Sequence, residues 1–108
     1  MNKTISAVAV ILTAMTGLTT AVLAETDEEC AAVGRIAEKV MERRQGGKSL
    51  QSTMDVVIPK DNDKVGPGFR KMIMDAYEVP FFNMQESKDR AIGEFRDQWQ
   101  LACMKGSG

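Results

Sequence analysis

Cys30 and Cys103 stand near the two ends of a 108-residue chain that holds two cysteines and no histidine. A catalytic thiol pair sits two residues apart at a helix start, which these do not. A zinc site would need further nitrogen or sulfur ligands, and no histidine is present to supply them. An even count, if the chain is exported to an oxidising compartment, points instead to a structural disulfide. Closing a loop of 73 residues removes unfolded-state freedom worth about 4.4 kcal/mol in the chain-entropy model.

Other groups capable of chemistry have plainer readings. Glu38 and Glu42 are four apart, and Glu94 and Asp97 three apart, but Lys39, Arg43 and Arg96 beside them make ion-paired helix surfaces. Met72 and Met74 could offer copper two thioethers. On a helix, however, Met72 falls on the apolar face and Met74 does not, so packing explains Met72. Asp61-Asn62-Asp63 begins like a calcium loop with Gly66 at the sixth position, yet the twelfth is Met72 instead of a bidentate acid. The commonest general base is absent and both thiols are committed to a bridge. No enzyme activity, cofactor or metal is expected.

The chain opens MNKTISAVAVILTAMTGLTTAVLAETDEEC. Lys3 precedes an apolar run that ends at Val22-Leu23-Ala24, with small residues at the minus-three and minus-one positions of a signal-peptidase site. Residues 1–24 read as a secretory signal cut between Ala24 and Glu25. The competing reading, an uncleaved anchor, suffers from Thr13, Thr16, Thr19 and Thr20, which thin the run. No cysteine near its end offers a lipid attachment, and no twin arginine precedes it. Residues 25–108 then form one small domain, periplasmic or secreted, marginal in stability without a staple. With 15 acids, 14 bases and a net charge of −1, nothing points to nucleic acid or to an anionic membrane.

The elements that must position these residues are all helical. Thr26-Asp27-Glu28-Glu29 is a capping box opening a helix over 27–45, with Cys30, Val33, Ala37, Val40, Met41 and Arg44 on one face and Gly46-Gly47 as its left-handed stop. Ser49 caps a short helix over 49–57, whose face is Leu50, Met54, Val57 and Ile58, ended by Pro59. Residues 59–68 are loop. Phe69, Met72, Ile73, Ala76 and Tyr77 mark a third helix over 69–79, stopped by Pro80. Asn83-Met84-Gln85-Glu86 caps a fourth over 84–104, facing inward with Ile92, Phe95, Trp99, Ala102 and Cys103. A Cys30–Cys103 bridge requires the two long helices, each about 28–31 Å, to lie antiparallel with matched ends. The expected fold is a compact, all-α, four-helix domain with one disulfide.

One stretch, MDAYEVPFFN at 74–83, concentrates aromatic side chains around a proline. Phe81 and Phe82 are adjacent and cannot share one pocket, so one plugs the core and the other faces out. Tyr77, Glu78, Phe81 and Phe82 are the candidate contact for a protein partner, since aromatics are enriched among interface anchors.

Cys30, the Arg44-Gln45-x-Gly47 turn, the Ala76-Tyr77-Glu78-x-Pro80 corner, Phe95 and Leu101-Ala102-Cys103 together resemble a group of small exported proteins of proteobacteria and their phages. The resemblance spans the mature chain and implies a periplasmic setting, but no activity. The expected role is a non-catalytic protein-binding or inhibitor module of the bacterial envelope. The alternative is a stress chaperone resembling the acid-activated periplasmic type, loosened when its carboxylates protonate.

Overall fold

The computed structural model describes residues 26–61 and 66–106. The expected signal and its cleavage point at Ala24 and Glu25 lie outside them, as does most of the Asp61-Asn62-Asp63 loop. Four helices follow one another: α1 Asp27–Gln45, α2 Leu50–Val57, α3 Gly66–Glu78 and α4 Gln85–Gly106.

α1 begins as its capping residues dictate. The Thr26 hydroxyl accepts from the Glu29 amide at 3.1 Å, and the Glu29 carboxylate accepts from the Thr26 amide at 2.9 Å. Asp27, Glu28 and Glu29 in its first turn and Arg43 and Arg44 in its last complement the helix dipole. It ends in a Schellman motif: Gly47 N–H donates to the Arg44 carbonyl and Lys48 N–H to the Arg43 carbonyl. Gly47 carries φ +80°, which a side chain would oppose.

α3 starts three residues before the expected Phe69. Gly66-Pro67-Gly68 reads as loop, but a proline in a first helical turn forfeits no hydrogen bond, and its fixed φ suits the helix. In α4 the Met84 carbonyl takes the first helical bond, from Lys88 N–H, so Met84 and not Asn83 holds the cap position.

α1 is the common partner. α4 runs along it, α2 and α3 pack on it, and α2 also packs on α3, whereas α3 and α4 share no extensive contact. Cys30 in the first turn of α1 bonds Cys103 near the end of α4, with Cα atoms 5.5 Å apart. At the other end Lys88 reaches the Gln45 carbonyl. The long helices are therefore antiparallel along their full length. Close approach between them is made at Gly34, where an added Cβ would lie 3.2 Å from Gln100 Cβ.

The core is Ala37, Val40 and Met41 from α1, Met72, Ile73 and Ala76 from α3, and Ala91 and Phe95 from α4. Met74 lies outside it and is exposed. Two expected core positions are displaced. Leu50 is exposed, and the buried place on α2 belongs to Thr53, whose hydroxyl is held by hydrogen bonds. Ala102 is also exposed. Among the described residues no helix is long and apolar enough to cross a membrane.

Candidate functional site

The chain between α3 and α4, Val79 to Met84, has no regular structure of its own, so its carbonyls and amides need partners from elsewhere. The end of α1 supplies them. Arg44 Nε donates to the Val79 carbonyl at 3.0 Å, and Gln45 Nε2 donates to the Pro80 carbonyl at 2.9 Å. Gln45 Oε1 accepts from the Phe82 amide at 3.0 Å. The Gln45 backbone carbonyl, one of the four left open at a helix end, accepts from Lys88 Nζ at 2.6 Å. One buried glutamine, 3% exposed, thus grips both sides of the corner.

Tyr77 is tied in from the other side. Its ring lies under the Arg44 guanidinium, 5.2 Å from the centroid. Its hydroxyl is 2.7 Å from the Lys48 carbonyl and 2.7 Å from Thr53 Oγ1. Arg43 Nε in turn donates to Thr53 Oγ1 at 3.0 Å, and Arg43 Nη2 to Ser52 Oγ at 2.6 Å. If Tyr77 donates to Lys48, Thr53 donates to Tyr77 and accepts from Arg43, so every proton in the relay has one acceptor. Arg43, Arg44 and Lys88 all spend their donors on neutral oxygens at the C-terminal end of α1, where the helix dipole favours cations.

This network decides the two phenylalanines. Phe82, its amide held by Gln45, turns inward and packs against the core. Phe81 points out at 46% exposure, with Lys88 Nζ 3.8 Å above its ring. Glu78 is exposed beside it. Of the four expected contact residues, then, Phe81 and Glu78 face solvent, Phe82 is half-buried, and Tyr77 has its hydroxyl fully engaged within the fold.

An open groove of about 390 Å³ runs between the corner and α4, bounded on the corner side by Val79 and Phe82. Val79, Phe82, Ala91 and Phe95 give it an apolar floor, and Arg90, Glu94 and Gln98 a polar rim.

The sequence placed Gln45 in the Arg44-Gln45-x-Gly47 turn but gave it no part in the corner, and Lys88 was not singled out. Gln45 did leave a signal: Ala37, Met41 and Gln45 are spaced four apart, which places a polar side chain on the apolar stripe of α1. Lys88 left none.

Three of the four acids, Glu38, Glu42 and Asp97, stand in surface ion pairs. Arg96 donates to Glu38 at 3.1 Å across the α1–α4 seam and to Asp97 at 2.9 Å, and these two carboxylates hold its pKa above the ordinary value. Lys39 pairs with Glu42 at 3.5 Å. The Glu29 carboxyl is held below its usual range by the Thr26 amide and hydroxyl. Among the described residues no three cysteine or acidic side chains converge on one point. No protein-family model matches the sequence, and comparison with curated proteins and with solved structures finds no similar chain.

Proposed function

We propose that this protein is an exported, non-catalytic binding module of the bacterial envelope, and that it captures or inhibits another protein through the α3–α4 corner. The observation that carries this reading is Phe81. An exposed aromatic ring stands on a backbone tied at Val79, Pro80 and Phe82 to the end of α1. An anchor held in place before binding loses little freedom on association, and aromatic anchors dominate interface energetics. The groove on the Val79 and Phe82 side of the corner offers an apolar floor for a side chain of the partner. The cysteine bridge fits an oxidising compartment.

Affinity capture from envelope extract tests the proposal. The wild-type protein should retain one partner in near-stoichiometric amount, Phe81→Ala should lose it, and Asp55→Ala on the far helix α2 should keep it. Equal capture by all three proteins would refute the assignment to the corner.

One observation favours the chaperone reading. Carboxylates hold both the α1 cap, through Glu29, and the α1–α4 seam, through Glu38. Protonation would release both. Circular dichroism with an apolar dye at about pH 2–3 and at neutral pH separates the readings. Helix retained with strong dye binding in acid supports a chaperone; an unchanged native signal supports the binding module.

A further inference from the structure

Four cations meet at the C-terminal end of α1. Arg43, Arg44 and Lys88 are anchored there on neutral oxygens, and Lys48 lies in the turn beyond, its amide on the Arg43 carbonyl. Among the described residues none of the four pairs with a carboxylate, whereas Lys39, Lys71, Arg90 and Arg96 each do. The acids nearest to them in sequence are engaged elsewhere. Glu42 pairs with Lys39, Asp89 accepts from Gln85, and Glu86 pairs with Arg90. Glu78 is exposed and lines a hollow on α3 with Arg70, Lys71 and Asp75. The α1 dipole offsets only about half an elementary charge, against four full ones. The corner end of the molecule therefore carries positive charge that the fold leaves uncompensated.

Two of these cations are fixed close to Phe81. Lys88 Nζ lies 3.8 Å above its ring and is held on the Gln45 carbonyl, a bond that uses one of its three protons. Arg44 is held by Nε on the Val79 carbonyl, two residues before Phe81, and by its place over the Tyr77 ring. Its four Nη protons have no acceptor among the described residues. A guanidinium fastened through Nε, with its Nη1–Nη2 edge open, presents a rigid fork. Such a fork fits a carboxylate through two parallel hydrogen bonds. Cations held in place before binding also lose little freedom when a partner arrives.

We propose that the corner recognises an acidic segment of its protein partner, whose carboxylates meet Arg44 and Lys88 while an apolar side chain of the same segment covers Phe81. The proposal rests on the reading of the corner as a protein contact and gives the partner a chemistry. An exposed ring among the cations favours a peptide, which offers both kinds of side chain, over a phosphate backbone or a lipid headgroup.

The test is a titration of the disulfide-bonded, isotope-labelled protein with a short peptide bearing glutamates on both sides of a leucine, followed by amide NMR shifts. Signals of residues 44–48 and 77–88 should move, those of residues 27–33 at the disulfide end should not, and the same peptide with lysine in place of glutamate should move neither. Added salt should weaken the binding, as screening requires. The Lys48 side chain makes no hydrogen bond or ion pair among the described residues, so its charge can be reversed without loosening the fold. Lys48→Glu should weaken binding about threefold or more. Arg44→Gln, compared at matched helical circular dichroism, should weaken it about tenfold. Glu78→Lys should tighten it, while Asp55→Lys on α2, which adds the same charge away from the corner, should not. No shift with the acidic peptide overturns the proposal, as do equal shifts with the two peptides, or equal tightening by Glu78→Lys and Asp55→Lys. Binding to vesicles of anionic lipid without binding to the peptide overturns it too. The corner as a protein contact stands or falls separately, by capture with Phe81→Ala, so the two failures are distinguishable.

Discussion

Gln45 holds the corner through its amide, its carbonyl oxygen and its own backbone carbonyl, which separates its role from that of an ordinary helix end. Gln45→Ala leaves the Pro80 carbonyl and the Phe82 amide without partners, and each such loss costs about 1–3 kcal/mol. A drop of about 2–4 kcal/mol in unfolding free energy is expected by denaturant titration. Gln45→Glu keeps the acceptor but not the donor, so it should fall between. The adjacent phenylalanines should part company in the same assay. Phe81→Ala should stay within about 0.5 kcal/mol of wild type. Phe82→Ala should cost about 2–3 kcal/mol, somewhat below the value for a fully enclosed ring. That one ring faces in and the other out follows from their adjacency and was legible in the sequence. Which one does so was not, because the choice is made 37 residues away by Gln45 Oε1 on the Phe82 amide. The place of the Tyr77 hydroxyl was hidden for a related reason. An amphipathic ring at a corner reads as a half-wet contact, whereas Thr53 and the Lys48 carbonyl, from a different helix and loop, take up its hydroxyl.

At the level of the helix, local rules carried most of the information. The capping box at Thr26 and Glu29, the left-handed glycine at 47 and the stop before Pro80 are written in neighbouring residues, and the helices begin and end close to them. Two features failed where a local rule met a distant partner. Thr53 lies outside the face expected for α2, Leu50, Met54, Val57 and Ile58, but is 0% exposed, and Arg43 and Tyr77 satisfy its hydroxyl. Gly66-Pro67-Gly68 reads as loop because its residues break helices in general, although not in a first turn. The α1 cap gives a pH dependence with a definite sign. Glu29 has its pKa lowered on folding by the Thr26 amide and hydroxyl. Its contribution is therefore fully present above the unfolded carboxyl value and is lost as pH falls through the folded one. Thr26→Ala should cost about 1 kcal/mol at neutral pH. It should also flatten the decline of Tm with acidity between about pH 5 and pH 3.

For the molecule as a whole, the decisive constraint is that α1 and α4 are joined at both ends, by the Cys30–Cys103 bridge and by the clamp on the corner. Removing the bridge with Cys30→Ser and Cys103→Ser together should cost about 4 kcal/mol by denaturant titration, most of it through a freer unfolded chain. The far end should still hold the corner, so circular dichroism should report a helical fold of lower stability. The antiparallel pairing was legible because two cysteines at opposite ends of two long helices leave no other arrangement. The groove was not, since it depends on how Val79 and Phe82 of the corner sit over α4, which no residue announces. The central claim is that Phe81, fixed outward by that clamp, is a contact for another protein. A photoreactive amino acid placed at position 81, in the protein expressed in its own cellular compartment, tests it most directly. The account predicts one discrete adduct with a different protein, absent when the same group is placed at position 55. No adduct from position 81, or the same products from both positions, would contradict it.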